Sequence, residues 1–235
     1  MLRERTKTIL IMNKTTQGQR GEKKVISTLK KIKEKHIVLN DVTFINKKSE
    51  MTHQIDHILI HPHGVFVIET KNYHGHILVN HKNGSWVKFD GKTKKFMSNP
   101  LVQNKSHAIN LYKILKAKYK IIPVVVFVGN NAPYLPDDNV INLDDLLLFV
   151  DSYPYDSLLT DKDIKDIKEI IKNESIDVSK KEHVENIKLL KEFRKEQQDE
   201  IRYAIENNKC PWCDAKIVSK NNIYKCSKCS FTFKL

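Results

Sequence analysis

Two apolar segments joined by a short turn constrain the fold of this chain most strongly. Residues 54–60 and 65–71 are rich in Ile and Val, and residues 61–64 read His-Pro-His-Gly, a composition typical of tight turns. The two segments are therefore predicted to pair as an antiparallel hairpin. If Ile60 faces Val65, the residue numbers of every opposed pair sum to 125.

Three charged side chains interrupt this apolar hairpin. The register places Asp56 directly opposite Glu69, and Lys71 lies on the same face as Glu69 because side chains alternate along a strand. Two opposed carboxylates, with Cβ atoms about 4.5–5.5 Å apart, repel each other unless a cation lies near them. A bulge in either strand would shift the register and remove this juxtaposition.

This charged group has a chemical use. Hard oxygen ligands at such a spacing hold Mg²⁺ or Mn²⁺ beside a substrate phosphate, so Asp56, Glu69 and the backbone carbonyl of Thr70 are predicted metal ligands. Lys71 would orient or activate the attacking water, or stabilise developing negative charge. The simpler alternative is an exposed sheet face, where acidic and basic residues are common. Six histidines also crowd this region, but strand alternation scatters them over both faces. This disfavours a histidine metal site and favours histidines that lie in loops, contact phosphate or support the site residues.

A helix is predicted over residues 17–35. Four apolar residues recur there at helical spacing and form one stripe: Val25, Ile26, Leu29 and Ile32. At about 100° per residue, Glu22 falls near the centre of that stripe. Its carboxylate should therefore face the core or a cleft, and we predict that Glu22 supplies a further catalytic carboxylate, directly or through water.

Periodicity and turn signals predict the other elements of an α/β fold. Strands are expected at residues 37–46, 76–80, 86–89, 124–128 and 140–143, and helices at 100–118 and 144–150. Asn83-Gly84 is a strong hairpin signal. Asn99 and Pro100 suit the N-cap and the first position of a helix. The β-branched run at 124–128 is typical of a strand that is buried on both faces.

Composition favours a polyanionic partner. The formal net charge is +13, and neutralised phosphates release condensed counterions, although lysines on solvated helix faces explain the charge equally well. No apolar run approaches the roughly 20 residues of a membrane span. Residues 1–13 lack the long apolar core of a signal peptide. We therefore expect a cytoplasmic location without a membrane partner.

The second part of the chain changes character. Residues 161–205 are highly charged and predict two helices around a break near 176–178. A partial apolar face of the second helix comprises Ile187, Leu190, Phe193, Ile201 and Ile205. The expected organisation is a core domain at 14–150, a helical arm at 151–206 and a cysteine module at 207–235.

The four cysteines form two Cys-x-x-Cys pairs separated by twelve residues. They are Cys210, Cys213, Cys226 and Cys229. This spacing is typical of a structural zinc site with four thiolate ligands, which leaves no open coordination position for catalysis. Disulfides are the alternative, and the expected cytosolic location disfavours them.

The cysteine module resembles the small zinc ribbons appended to bacterial type I topoisomerases, which bind single-stranded DNA. Stacking on bases is predicted for Trp212 and Tyr224, and contact with phosphates is predicted for Lys216 and Lys228. The alternative is that the aromatic side chains, Phe231 and Phe233 among them, form the small core that so short a segment needs.

A larger set of motifs resembles the nuclease-related domain (NERD) family of the PD-(D/E)xK nuclease superfamily, over residues 17–130. The motifs are Gly21-Glu22, Gln54-Ile55-Asp56-His57, Glu69-Thr70-Lys71-Asn72-Tyr73, Gly75, Trp86, Asn99-Pro100 and Gln103-Asn104. The resemblance implies a restriction-endonuclease-like mixed sheet flanked by helices. It implies Asp56 and Glu69 as metal ligands, Lys71 as catalytic and Glu22 as an auxiliary acid. It also favours a site role for Gln103, whereas packing explains His107 equally well.

These observations predict a deoxyribonuclease that hydrolyses phosphodiester bonds with a divalent metal. Endonuclease action is favoured, but the sequence does not distinguish it from exonuclease action. The zinc ribbon would assist DNA binding, single-stranded DNA included, in defence, plasmid control or repair. An inactive DNA-binding or scaffold protein and a ribonuclease stay open as alternatives. The intact set of Asp56, Glu69 and Lys71 argues against the inactive fold. A homodimer would suit cleavage of both strands, but nothing in the sequence decides it.

Overall fold

The structure is a computed structural model that describes residues 16–45, 52–80, 85–135, 139–155, 158–220, 222–229 and 232–234. The described residues separate into two compact units. The first takes in residues up to Phe44 and from His53 to Ile176. The second takes in Ile45, Thr52 and the residues from Asp177 onward.

A five-stranded mixed sheet forms the centre of the first unit. Its strands are β1 (Ile37–Ile45), β2 (Thr52–His61), β3 (Gly64–Lys71), β7 (Ile121–Phe127) and β8 (Val140–Asn142). The order is β1-β2-β3-β7-β8, with β2 antiparallel to β3 and both β3–β7 and β7–β8 parallel. The predicted mixed α/β fold is confirmed.

Helices cover both faces of this sheet. They are α1 (Gln17–Leu29), α2 (Pro100–Ile114), α3 (Leu146–Ser152) and α4 (Asp161–Glu174). Because side chains alternate along a strand, each face of the sheet packs against a different pair of helices. Ile58 and Val67 pack with α2 and α4, whereas Leu59 and Ile68 pack with α1 and α3. Both faces of β2 and β3 are therefore apolar, as a sheet between two helical layers requires.

The β2–β3 hairpin has the predicted register. All five paired positions, from His57–Ile68 to His61–Gly64, sum to 125. Gly64 has a φ of 143°, and a Cβ at this position would lie 2.6 Å from Ile122 Cδ1. The turn therefore depends on glycine both for its backbone conformation and for the close approach of β7.

Two helices end earlier than the sequence predicted. The helix expected at 17–35 starts beside the Thr16 capping box but ends at Leu29, before a lysine-rich stretch at residues 30–35. The helix expected at 100–118 has Asn99 as its N-cap and ends at Ile114. Lys116 and Ala117 then adopt left-handed backbone conformations, with φ of 54° and 58°, which terminate the helix.

A second sheet of the first unit consists of β4 (His76–Val79), β5 (Trp86–Phe89) and β6 (Lys94–Met97), and we call it the outer sheet. Its strands are antiparallel in that order. The sequence did not predict β6, because its four residues lack an alternating apolar pattern. The Asn83-Gly84 turn lies outside the described residues.

The second unit contains one long helix and a small sheet. These elements are α5 (Lys180–Asn207), β9 (Ile217–Lys220), β10 (Ile223–Cys226) and β11 (Thr232–Lys234). The predicted break near residues 176–178 is confirmed, since α4 ends at Glu174 and α5 begins after the Ser179 capping box. Phe231 lies outside the described residues. No helix in the described part of the chain is long and apolar enough to cross a membrane.

Candidate active site and cysteine cluster

The open end of the β2–β3 hairpin gathers the three charged residues that the sequence singled out. Pairing of β2 with β3 begins at His57, so the predicted Asp56–Glu69 pair lies just beyond the paired positions. Asp56 Oδ2 accepts a hydrogen bond from the Thr70 backbone N–H at 2.8 Å. Lys71 Nζ donates to Glu69 Oε1 at 2.5 Å. The Asp56 carboxylate is therefore fixed to the β3 segment that carries Glu69 and Lys71.

The electrostatics of this group favour a bound cation. Burial and then repulsion from Glu69 raise the pKa of Asp56 to about 7, although the Thr70 amide opposes the change. Repulsion from Glu22 raises the pKa of Asp56 further, whereas attraction to Lys71 lowers it. Glu69 is only 4% exposed. Several carboxylates thus share a poorly solvated space with one ammonium group, and a divalent ion would offset their repulsion.

Glu22 reaches this region on α1. Its neighbour Gly21 lies against Asn72, where an added Cβ would meet the Asn72 Cβ at 2.7 Å. Asn72 Nδ2 also donates to the Gln17 carbonyl at 2.6 Å, which ties the start of α1 to the end of β3. Glu22 is partly buried. Its carboxylate acts on Asp56 through charge, but Glu22, Asp56 and Glu69 are not among the described groups whose ligating atoms all lie within 4.8 Å of one another.

Helix α2 brings further polar side chains to the same region. Gln103 Oε1 accepts a hydrogen bond from Lys71 Nζ at 3.4 Å. His107 is buried, and its Nε2 lies 4.0 Å from Glu69 Oε2. Gln103 therefore contacts the catalytic candidate Lys71, and His107 approaches the predicted metal ligand Glu69.

Sequence reasoning named Asn104 only within a family motif and gave it no role, but this residue fixes α2 against the sheet. Asn104 is 1% exposed, and its Nδ2 donates to the carbonyls of Val67 at 2.9 Å and Val124 at 2.8 Å. These bonds join the helix to both β3 and β7. A polar residue on the buried side of a predicted helix was the available signal, because such a group needs partners.

His57 was one of six histidines for which the sequence predicted a general supporting role, and the structure shows its specific contacts. It is 1% exposed, with Nδ1 2.7 Å from Asn40 Oδ1 and Nε2 3.1 Å from Thr70 Oγ1. Thr70 in turn holds Asp56 through its backbone N–H. His57, the residue after Asp56, thus helps to position Thr70, the residue after Glu69.

The nuclease-related domain family model matches residues 17–128, the part of the chain that contains this group. The chain belongs to the nuclease-related domain family. An uncharacterised protein of Bacillus anthracis is 32% identical over 174 residues, covering 70% of this chain and 81% of the relative. No solved structure matches the chain significantly.

The four cysteines lie outside the nuclease-related domain and come together in the second unit. The Sγ atoms of Cys210 and Cys229 are 3.5 Å apart, as are those of Cys213 and Cys226, and all four lie within 4.8 Å of one another. These separations exceed a disulfide bond but suit four thiolates around one ion. The cysteines could therefore hold a zinc ion.

Backbone amides help to set the charge of this cluster. Desolvation raises the pKa of Cys226, but the N–H groups of Cys229 and Lys228, each 3.3 Å from its Sγ, and the neighbouring thiols lower it to about 6. Hydrogen bonds to sulfur favour the thiolate, which is the form that binds metal.

The predicted DNA-contacting residues of the cysteine module have different surroundings. Trp212 is 58% exposed, and its Nε1 donates to Glu200 Oε1 at 2.9 Å. Lys216 and Lys228 are exposed. Tyr224, by contrast, stacks on the buried Phe233 with ring centroids 4.7 Å apart. One face of the Tyr224 ring thus contributes to the small core of the module.

A further group of potential ligands lies at the turn end of β2. The ligating atoms of Glu34, His61 and Asp151 lie within 4.8 Å of one another, and His61 is fully buried. Burial, mainly, lowers the pKa of His61 to about 4. Its Nδ1 accepts the His63 backbone N–H at 3.3 Å. The described residues give the buried Nε2 no hydrogen-bond partner.

Proposed function

We propose that this member of the nuclease-related domain family is a metal-dependent deoxyribonuclease that hydrolyses internal phosphodiester bonds of DNA. The convergence of Asp56, Glu69 and Lys71 at the open end of the β2–β3 hairpin carries the proposal. Carboxylates that are buried together without matching positive charge are costly unless they bind a cation.

In this proposal Asp56, Glu69 and the Thr70 carbonyl hold Mg²⁺ or Mn²⁺. The bound ion supplies positive charge beside the scissile phosphate and activates water for attack. Lys71, held by Glu69 and Gln103, orients the attacking water and stabilises the charge that develops on the phosphate. Glu22 adds an auxiliary carboxylate, and Gln103 positions the Lys71 ammonium.

The cysteine module has a separate role in the same proposal. Its four thiolates bind one structural zinc ion, which folds a segment too small to hold a sufficient apolar core. Trp212 and Tyr224 contact bases, and Lys216 and Lys228 contact phosphates, so that the module assists capture of DNA, single-stranded DNA included.

The test is cleavage of supercoiled plasmid by the full-length chain with Mg²⁺ or Mn²⁺. We expect nicking by the wild type and a loss of about a hundredfold or more in Lys71→Ala and Asp56→Ala, since each removes charge at the reacting phosphate. Matched controls are Lys165→Ala and Asp166→Ala, which alter exposed residues of α4 and should cut normally.

Three outcomes would contradict the proposal. A wild-type chain that never nicks DNA would favour a catalytically inactive DNA-binding protein. Equal cleavage by Lys71→Ala and the wild type would show that the activity has another origin. A labelled RNA strand that is cut while plasmid and single-stranded DNA stay intact would identify a ribonuclease.

A further inference from the structure

The outer sheet has two faces of different character. Ile77 and Trp86 belong to its inner face, where they are 6% and 2% exposed. They pack with Val125 and Phe127 of β7, and the Trp86 and Phe127 rings are nearly parallel, with centroids 6.3 Å apart. The alternate positions of the same strands therefore point away from the central sheet.

The outward face carries a row of apolar side chains across all three strands. Strand pairing aligns Leu78 with Val87 and Val87 with Phe96. Leu78 is 48% exposed, and Phe96, on the edge strand β6, is 76% exposed. An exposed apolar row that ends in an aromatic ring is costly in water, and such surfaces commonly mark binding sites.

The next row on this face adds a second aromatic ring and positive charge. Pairing aligns His76 with Phe89 and Phe89 with Lys94. Phe89 is partly exposed and Lys94 is exposed. Two aromatic rings and a lysine therefore share one surface, a combination suited to bases and phosphates of a nucleic-acid strand.

The charge of this segment fits a polyanion. Residues 76–97 contain five lysines and a single acidic residue, Asp90. The Asp90 carboxylate accepts hydrogen bonds from the backbone N–H groups of Lys92 and Thr93, at 3.0 and 2.8 Å, and so stabilises the β5–β6 turn. The lysines are thus left largely uncompensated by acids of the same segment.

The outer sheet is joined at both ends to the candidate active site. Strand β4 begins five residues after Lys71, and β6 ends three residues before Pro100, the first residue of α2. Helix α2 carries Gln103, which contacts Lys71 Nζ. A polymer with one phosphate at the active site must extend over neighbouring surfaces, and the outer sheet is such a neighbour within the first unit.

We propose that the outward face of the outer sheet binds a single-stranded segment of DNA, with Phe96 stacked on a base and Lys94 against a phosphate. The face of a base is available for stacking only when it is unstacked from its duplex neighbours, which is why the apolar row favours a single strand. The identity of the polymer as DNA rests on the proposed nuclease function.

The test is fluorescence anisotropy of the full chain with a labelled single-stranded oligonucleotide and its duplex, without added Mg²⁺ or Mn²⁺. Phe96→Ala should weaken single-strand binding about fivefold or more, with less than about a twofold change for the duplex. Lys94→Ala should reduce the slope of log affinity against log salt by about one. Leu148→Ala, at a 70% exposed position of α3, and Lys165→Ala on α4 are the matched controls.

A direct mapping experiment supplies the second measurement. An oligonucleotide containing bromodeoxyuridine should cross-link to Phe96 itself, identified by fragmentation of the tryptic peptide of residues 96–105, and not to Gln103 of the same peptide. Wild-type affinity in both Phe96→Ala and Lys94→Ala would overturn the proposal, as would an equal loss of duplex and single-strand binding in Phe96→Ala. These readings are independent of plasmid nicking, so failure of the nuclease proposal and failure of this one are distinguishable.

Discussion

The carboxylate hairpin and the cysteine cluster are both candidate metal sites, but we expect their folding to depend on metal to very different degrees. The hairpin belongs to an apolar core that does not depend on an ion, because Ile58, Leu59 and Val67 are fully buried between two layers of helices. The cysteine cluster is itself part of its core, which consists of Ala204, Cys210, Ile217 and Phe233 with a few partly buried neighbours. A metal can therefore exchange at the first site, whereas the second should not stay folded without one.

Zinc removal should give the largest effect and test this contrast most directly. We expect about one zinc ion per chain, bound with an apparent free energy on the order of 10–16 kcal/mol. Chelation should make residues 207–235 sensitive to protease, while the first unit keeps its far-UV circular dichroism and its unfolding transition. Metal analysis and limited proteolysis followed by mass spectrometry provide the measurements.

Cys226→Ser should reproduce the effect of chelation, and Ser219→Ala, an exposed change on β9, should not. If the chelated chain gives the same proteolytic pattern as the zinc-loaded chain, the module folds without metal. That result would contradict the expected difference between the two metal sites.

The carboxylate hairpin should stay folded without metal, although repulsion between its carboxylates should make the metal-free chain less stable. The folded pKa of Asp56, about 7, lies above its ordinary value of 3.8, so the folded chain binds an extra proton between about pH 4 and pH 7. The stability of the metal-free chain should therefore fall as pH rises through this window. Asp56→Asn keeps an oxygen for the Thr70 N–H and should raise the free energy of unfolding at pH 8 by about 1–4 kcal/mol.

Urea unfolding between pH 4 and pH 8 measures this difference, which should vanish near pH 4. Asp166→Asn on the exposed face of α4 is the control and should leave the pH profile unchanged. If the free energy of unfolding changes with pH in the same way for wild type and Asp56→Asn, the Asp56 carboxylate does not destabilise the folded chain. Asp56→Asn should also fail to cut plasmid, so that one substitution raises stability and abolishes activity.

The smallest effects are expected within the cysteine module, between an exposed aromatic ring and a packed one. Trp212→Ala should weaken single-stranded DNA binding about fivefold or more without unfolding the module. Tyr224→Ala should loosen the module as well, since it removes the stack on Phe233, worth about 0.5–1.5 kcal/mol beyond the buried area. Lys216→Ala and Lys228→Ala should each lower the salt slope of binding by about one.

Anisotropy titrations at several salt concentrations, paired with thermal unfolding, distinguish these cases. Lys191→Ala, at an exposed position of α5, controls for a general loss of charge. Unchanged affinity in Trp212→Ala and both lysine variants would confine the module to a structural role.

Local sequence patterns determined a large part of the fold. The short turn before Gly64 set the register of the β2–β3 hairpin, because so few connecting residues leave few ways to pair the flanking strands. The spacing of the cysteine pairs likewise predicted a cluster that the structure brings within 4.8 Å. These features depend on residues close together in the chain, where geometry leaves few alternatives.

Only the tertiary structure decided how the candidate site is supported. Asn104 bonds to Val67 and Val124, and His57 bonds to Asn40 and Thr70, through contacts between residues 13 to 37 positions apart. Strand β6 likewise exists through its pairing with β5. Such contacts form because buried polar groups and strand edges need partners, and a local pattern does not specify which distant group supplies them. The sequence thus determined that Asp56, Glu69 and Lys71 lie near one another, and packing of distant elements determined how they are held.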